Sequence, residues 1–139
     1  MLQPALVQQI LEAIGEGEYV GTRLGQLYKQ FVGDDVQAAS ENEYLKFVYH
    51  MDEIYDAGLI KNRDLKREYR WGQSRELGGG RSYANVHLIL TPVGAEVLKE
   101  LNKPKGLDRL IQAIRSAGAV AGQEALKYGI SELFKGSVS

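Results

Sequence analysis

Cysteine is absent from this chain of 139 residues. Disulfides, thiolate metal sites and thiol nucleophiles are excluded together, and the composition suits a reducing cytoplasm. Histidine is nearly as scarce, with only His50 and His87. His50 and Glu53 stand three apart on one helix and could both reach a metal, but no third ligand accompanies them at a diagnostic spacing. No Ser/His/Asp order or paired-carboxylate arrangement stands out, so no catalytic residue, cofactor, metal or small-molecule substrate is expected. A long apolar run is missing too. In the C-terminal segment the longest uncharged stretch is Ser116 to Gln123, well short of the roughly 20 residues a membrane helix requires. The opening MLQPALVQQILEAIGEGE lacks a basic start and holds Glu12 inside its apolar stretch, so no secretion signal is expected and the cytoplasm is the expected location.

Strong net charge is also lacking. A formal charge of −1 argues against tight non-specific attraction to DNA. The average conceals a polarity, however. From Lys61 to Arg81 there are seven basic side chains against three acids, a local +4, while the rest of the chain holds ten basic and fifteen acidic side chains, or −5. Such separation speaks to partners and orientation, not to fold. Hydrophobic residues at 44% and charged ones at 25% are ordinary for a folded domain, which excludes a disordered or fibrous chain. The length fits one domain.

Periodicity divides the chain. PALVQQILEAI, residues 4–14, sets Leu6, Val7, Ile10, Leu11 and Ile14 on one helical face, with Pro4 tolerable in a first turn. GEGEYVG, residues 15–21, has neither the spacing nor the Lys-Ser/Thr partner of a nucleotide loop, and reads as a helix stop and turn in which Tyr19-Val20 could form a very short strand. A second helix is expected over roughly 22–31, and Gly33-Asp34-Asp35 as a turn before any cation site. Ser40-Glu41-Asn42-Glu43 is a capping box. The helix it opens runs to about Ala57 with Tyr44, Phe47, Val48, Met51, Ile54 and Tyr55 as its inward stripe, and Gly58 suits its end.

An antiparallel hairpin follows. Leu59-Ile60 begins an extended segment running with interruptions to Trp71, and Ala84 to Leu90 alternates Val86, Leu88 and Leu90 inward with Asn85 and His87 outward. GQSRELGGGR lies between them as a long, slack loop. Thr91-Pro92 starts a fourth helix through Leu101, residues 102–106 read as a linker, and one long helix is expected over 107–134. The expected fold is therefore α+β and mostly helical. It is a winged helix-turn-helix over 1–101 with a two-stranded β-hairpin wing, followed by the linker and by an extra long C-terminal helix within 107–139, packing on the domain or mediating self-association. Along that helix Gly118, Gly122, Ala125 and Gly129 form a row of small side chains, suited to a homodimer contact or to packing on the first helix.

VYHMDEIYDAGLIK, residues 48–61, VHLILTPVGAEVLKEL, residues 86–101, and the last segment rich in Ala, Leu and Lys give the chain a resemblance to a family of small bacterial and phage proteins grouped as a domain of unknown function. The resemblance covers most of the chain and is sharpest at Tyr49-His50, at Ala57-Gly58-Leu59-Ile60 and at Leu90-Thr91 with Gly94 and Leu98. Pro92 stands where members of the family often have Trp, and the hairpin loop is longer and more basic than theirs. The resemblance implies a winged-helix-like fold in a bacterial or mobile-element setting and no particular activity.

In a winged helix the third helix normally enters the major groove. Its outward positions here are Glu41, Glu43, Lys46, His50, Asp52, Glu53 and Asp56, a surface that phosphates would repel. The hairpin is the opposite. Lys66, Arg67, Tyr69, Arg70 and Trp71 on its first strand, with Arg75, Arg81 and Tyr83 around the loop, interleave cations with aromatics, as phosphate contact and base stacking require. Other readings of the same residues are a solvated strand face with Tyr69 or Trp71 covering the core, and a wing that docks on the acidic helix of a second copy. The expected function is a non-catalytic nucleic-acid-binding regulator or accessory protein working through the wing. A protein-interaction or adaptor module without nucleic-acid binding is the alternative.

Overall fold

The computed structural model of the chain describes residues 2–64, 70–73, 81–121 and 125–137, with 117–121 and 136–137 described by backbone alone. Six helices and three short strands follow in the order α1 (Pro4–Gly15), β1 (Thr22–Arg23), α2 (Leu24–Phe31), α3 (Glu41–Asp56), β2 (Ile60–Asn62), β3 (His87–Leu90), α4 (Pro92–Leu101), α5 (Gly106–Ala121) and α6 (Ala125–Ser137). The fold is α+β and mostly helical, with one antiparallel sheet in the order β1-β3-β2.

The first helix begins at Pro4 and buries Val7, Ile10, Leu11 and Ile14. Its end is closed by Thr22, whose buried hydroxyl bonds to the carbonyls of Ala13 (3.0 Å) and Ile14 (3.1 Å), oxygens that the end of a helix leaves unpaired. The strand expected at Tyr19-Val20 lies instead at Thr22–Arg23. Positive φ at Glu18 (50°) and Gly21 (94°) turns the chain before pairing begins. Tyr19 and Val20 therefore sit at the tip of a turn, 93% and 66% exposed.

In α3 the capping box forms as expected. The Ser40 hydroxyl accepts from the Glu43 amide at 3.2 Å, and Tyr44, Phe47, Val48, Met51 and Ile54 face the core. His50 does not face solvent. It is fully buried against the start of α1, where its Nε2 accepts from the Gln3 amide at 2.8 Å and its Nδ1 bonds to the Lys46 carbonyl at 2.7 Å. The Gln3 donor requires a bare Nε2, so the ring is neutral with its proton on Nδ1. Burial pushes its pKa below the ordinary histidine value.

Gly58 takes φ +77° and ends α3. The chain then enters β2, which pairs Ile60 with Leu90 and Asn62 with Leu88, while β1 pairs with the other edge of β3, Thr22 with Leu88 and Arg23 with His87. One face of the sheet packs inward through Ile60 and Leu88; Arg23, Lys61, His87 and Ile89 occupy the other. Thr91 ties this sheet to α4. Its amide donates to the Leu59 carbonyl at 2.9 Å, its hydroxyl bonds to the Gly58 carbonyl, and the same oxygen accepts from the Gly94 amide at 3.0 Å. A Cβ at Gly94 would lie 1.9 Å from the Leu59 carbonyl oxygen, so this close approach requires glycine.

The C-terminal segment departs from expectation. In place of one long helix, α5 and α6 form a helical hairpin that packs on α1 and α4. Leu110, Leu126, Ile130 and Leu133 join the same buried cluster as Val7, Leu88 and Val97. The glycines at 118, 122 and 129 each lower helix propensity by about 1 kcal/mol relative to alanine. Burial of a second apolar face more than offsets extension of a weakened helix. The turn into α5 is tight: a Cβ at Gly106 would lie 2.1 Å from the Glu100 carbonyl oxygen. The nearly buried Glu100 carboxylate is held by Lys103 at 2.6 Å and Arg109 at 3.4 Å. The Lys103 ammonium bonded to it keeps its carboxyl below the usual range.

Candidate functional site

Pairing along the β2–β3 hairpin stops after Asn62↔Leu88 and resumes at Gln73↔Tyr83. Ten residues separate these pairings on the first side and four on the second. Of the eight wing residues singled out from the sequence, Arg70, Trp71, Arg81 and Tyr83 are described; Lys66, Arg67, Tyr69 and Arg75 lie outside the described residues.

The four described residues all turn inward. Trp71 is 1% exposed, meets Phe47 edge to face at 6.3 Å, and donates from Nε1 to Asp52 at 2.8 Å. Arg70, beside it with φ +45°, pairs with Asp56, lies 3.9 Å from Asp52, and places its guanidinium 4.9 Å from the Tyr55 ring centre. Across the hairpin, Arg81 donates to the carbonyls of Val36 (2.8 Å) and Ala39 (2.7 Å) and covers the Tyr44 ring at 4.7 Å. Tyr83 stacks on Tyr28 with centroids 4.5 Å apart. The Ala84 amide donates to Gly72 at 2.7 Å, and Asn85 accepts from the Gly25 amide at 2.8 Å. These contacts fix the base of the β2–β3 hairpin against α2, α3 and the loop between them. Base stacking on Trp71 would require its removal from the core.

The acidic face of α3 is explained in part by the same contacts. Asp52 and Asp56 answer Arg70 and Trp71, and Glu43 lies 3.7 Å from Lys46. Glu53 has its carboxyl raised, first by burial and then by the neighbouring Asp56 and Asp52. Leu45 and Tyr49 are the exposed apolar residues of this helix, 51% and 39% accessible.

A different cationic surface lies on the outer side of the sheet. Register places Arg23 opposite His87 and Lys61 opposite Ile89. The Arg63 amide donates to the His87 carbonyl at 2.8 Å, and its guanidinium lies 3.5 Å from both Asp64 and the His87 ring. Asp64 accepts from the His87 amide at 2.9 Å, which, with the His87 ring and Arg63, holds its carboxyl below the usual range. Among the described residues Arg23 and Lys61 have no acidic partner. Sequence alone counts Lys61 and Arg63 within the basic segment but assigns neither to the site, and it misses Arg23. The available signal is strand alternation around Thr22 and Leu88, which sends 23, 61 and 87 to one face.

The small-residue row acts within the chain at the position the structure describes. A Cβ on Gly129 would meet Leu110 at 2.8 Å and Ile114 at 2.9 Å, so glycine lets α6 approach α5. Gly118 lies in α5, Ala125 opens α6, and Gly122 is outside the described residues. Among the described residues no group of three His, Asp or Glu side chains could hold a metal, and both ring nitrogens of His50 are already engaged. No described helix is long and apolar enough to cross a membrane. A cavity of about 340 Å3, lined by Gly15, Glu18, Tyr19, Ile89 and Leu90, opens beside the exposed Tyr19 turn. Comparison with family models, with curated proteins and with solved structures finds no match to this chain.

Proposed function

We propose that the chain is a non-catalytic winged-helix module that binds nucleic acid from the side of its basic wing, as a regulator or accessory protein of a bacterium or phage. The order α1-β1-α2-α3-β2-β3-α4 with β3 central in the sheet suits that fold. One observation carries the functional part: the acids Asp52 and Asp56 of α3 hold the base of the wing through Arg70 and Trp71. Part of the helix face that would ordinarily enter a groove is thus occupied with structure. Lys66, Arg67 and Arg75 are the other cations of this segment, each within four residues in sequence of Arg70 or Gln73. Binding of this kind is backbone-directed and falls steeply with salt.

The test is a titration of the full chain against a labelled duplex and a labelled single strand at several salt concentrations. Affinity falls linearly on logarithmic axes, and the variant Lys66→Ala/Arg67→Ala/Arg75→Ala flattens the slope by about one unit for each phosphate it no longer neutralises. An unmodified chain without salt-dependent binding at roughly 20 mM salt, well below the usual working range for such contacts, overturns the proposal. A protein-interaction module then takes its place, favoured by the exposed Tyr19-Val20 turn beside its cavity. In that case Tyr19→Ser/Val20→Ser abolishes self-association or partner binding measured by light scattering.

A further inference from the structure

We infer that the solvent face of the three-stranded sheet is a second phosphate-contacting surface, built on Arg23, Lys61 and Arg63 around His87. The inference rests on the nucleic-acid function proposed above and assigns it a surface away from both α3 and the wing tip.

The strand register brings the cations together. β3 is central, so Arg23 on β1 and Lys61 on β2 flank it from opposite sides. Two strand spacings of about 4.8 Å separate them across the sheet, and two residues of β3, about 7 Å, separate them along it. The resulting span of about 12 Å matches three to four nucleotides at roughly 3.4 Å of rise each. Arg63 lies next to this pair, its amide bonded to the His87 carbonyl at 2.8 Å.

Charge on this face is not cancelled internally. Two acids border it: Asp64, which the His87 amide at 2.9 Å, the His87 ring at 3.3 Å and the Arg63 guanidinium at 3.5 Å already engage, and Glu18, which lines a cavity with Ile89 and makes no salt bridge to Arg23 or Lys61. Arg23 and Lys61 are exposed and have no acidic partner among the described residues. They differ in this from Arg70, which pairs with Asp56, and from Arg81, which is bound to two carbonyls. A cation already paired inside the protein gains little from a phosphate. One surrounded only by water releases the phosphate's counterion at small cost. Ile89, half-buried opposite Lys61, offers an apolar floor between the cations.

The experiment compares the full chain with Arg23→Ala/Lys61→Ala and with Lys66→Ala/Arg67→Ala across a salt series on the same labelled duplex and single strand. Removing two phosphate-neutralising cations lowers the logarithmic salt slope by about two units. The sheet variant should show this drop with an unchanged thermal midpoint, and Arg23→Lys/Lys61→Arg should keep the original slope. If the sheet variant binds like the unmodified chain while the wing variant loses slope, the sheet inference is overturned and the wing function stands. If the unmodified chain shows no salt-dependent binding to either probe, both fall together.

Discussion

The two hairpins of this chain are fastened to one body by different chemistry. The β-hairpin is held at its base by directed polar contacts: Arg81 to two carbonyls, Trp71 and Arg70 to the acids of α3, and Tyr83 on Tyr28. The helical hairpin is held by apolar close packing, with Leu110, Leu126 and Leu133 buried and Gly129 against Leu110 and Ile114. Polar pins specify position, and the buried Trp71 indole adds apolar area to them. Close packing works through shape, with glycine admitting the neighbouring side chains. The difference lies in the contacts themselves, directed polar pins at one hairpin and interdigitated apolar side chains at the other.

Removal of the largest pin should have the largest effect. Trp71→Ala empties a buried indole site and should cost about 3–5 kcal/mol in urea unfolding, a change large enough to unfold part of the population. Arg81→Ala should cost about 2 kcal/mol, because two charge-assisted bonds disappear and the Val36 and Ala39 carbonyls lose their donor. Gly129→Val overpacks the helical hairpin, and about 1–2 kcal/mol is expected since the atoms it meets are ends of flexible side chains. A larger cost at Gly129 than at Arg81 would reverse the comparison. Arg70→Ala should cost less than about 1 kcal/mol, as its pair with Asp56 is one-third exposed on one side and more on the other.

Acid should weaken a third fastening, the one between α1 and α3. Because the folded state holds His50 neutral with a lowered pKa, its contribution is fully present above the ordinary histidine value of about 6.5. As pH falls below that value the unfolded chain takes up the proton first, and stability declines until the folded pKa is passed. Denaturant midpoints measured from pH 8 to pH 5 should show the decline, and His50→Gln should remove it. Asp64 and Glu100, both with lowered pKa values, contribute stability that disappears only in the more acidic carboxylate range.

Much of the framework is legible in the sequence because it rests on local rules. The capping box at Ser40, the left-handed end at Gly58 and the Thr91-Pro92 start each fix a boundary through neighbouring residues. Contacts between distant segments are not legible in the same way. Asp52 and Asp56 look like a solvated acidic face because nothing local ties them to Arg70 and Trp71, fourteen or more residues away. Arg81 looks like a phosphate ligand because its acceptors are backbone carbonyls, which sequence does not display. His50 reads as outward for a similar reason, since its partner is the amide of Gln3, 47 residues earlier. The expected single C-terminal helix fails at a tertiary choice: each half buries an apolar face only when the segment folds back.

The central claim is a division of labour among cations of one basic segment. The direct measurement pairs stability with nucleic-acid affinity for two single variants, Arg81→Ala and Arg67→Ala, in the full chain. Arg81→Ala should lower the unfolding midpoint and leave the salt slope of binding unchanged, whereas Arg67→Ala should lower the slope by about one unit and leave the midpoint unchanged. The opposite pattern, a lower slope at Arg81 and a lower stability at Arg67, would contradict the account.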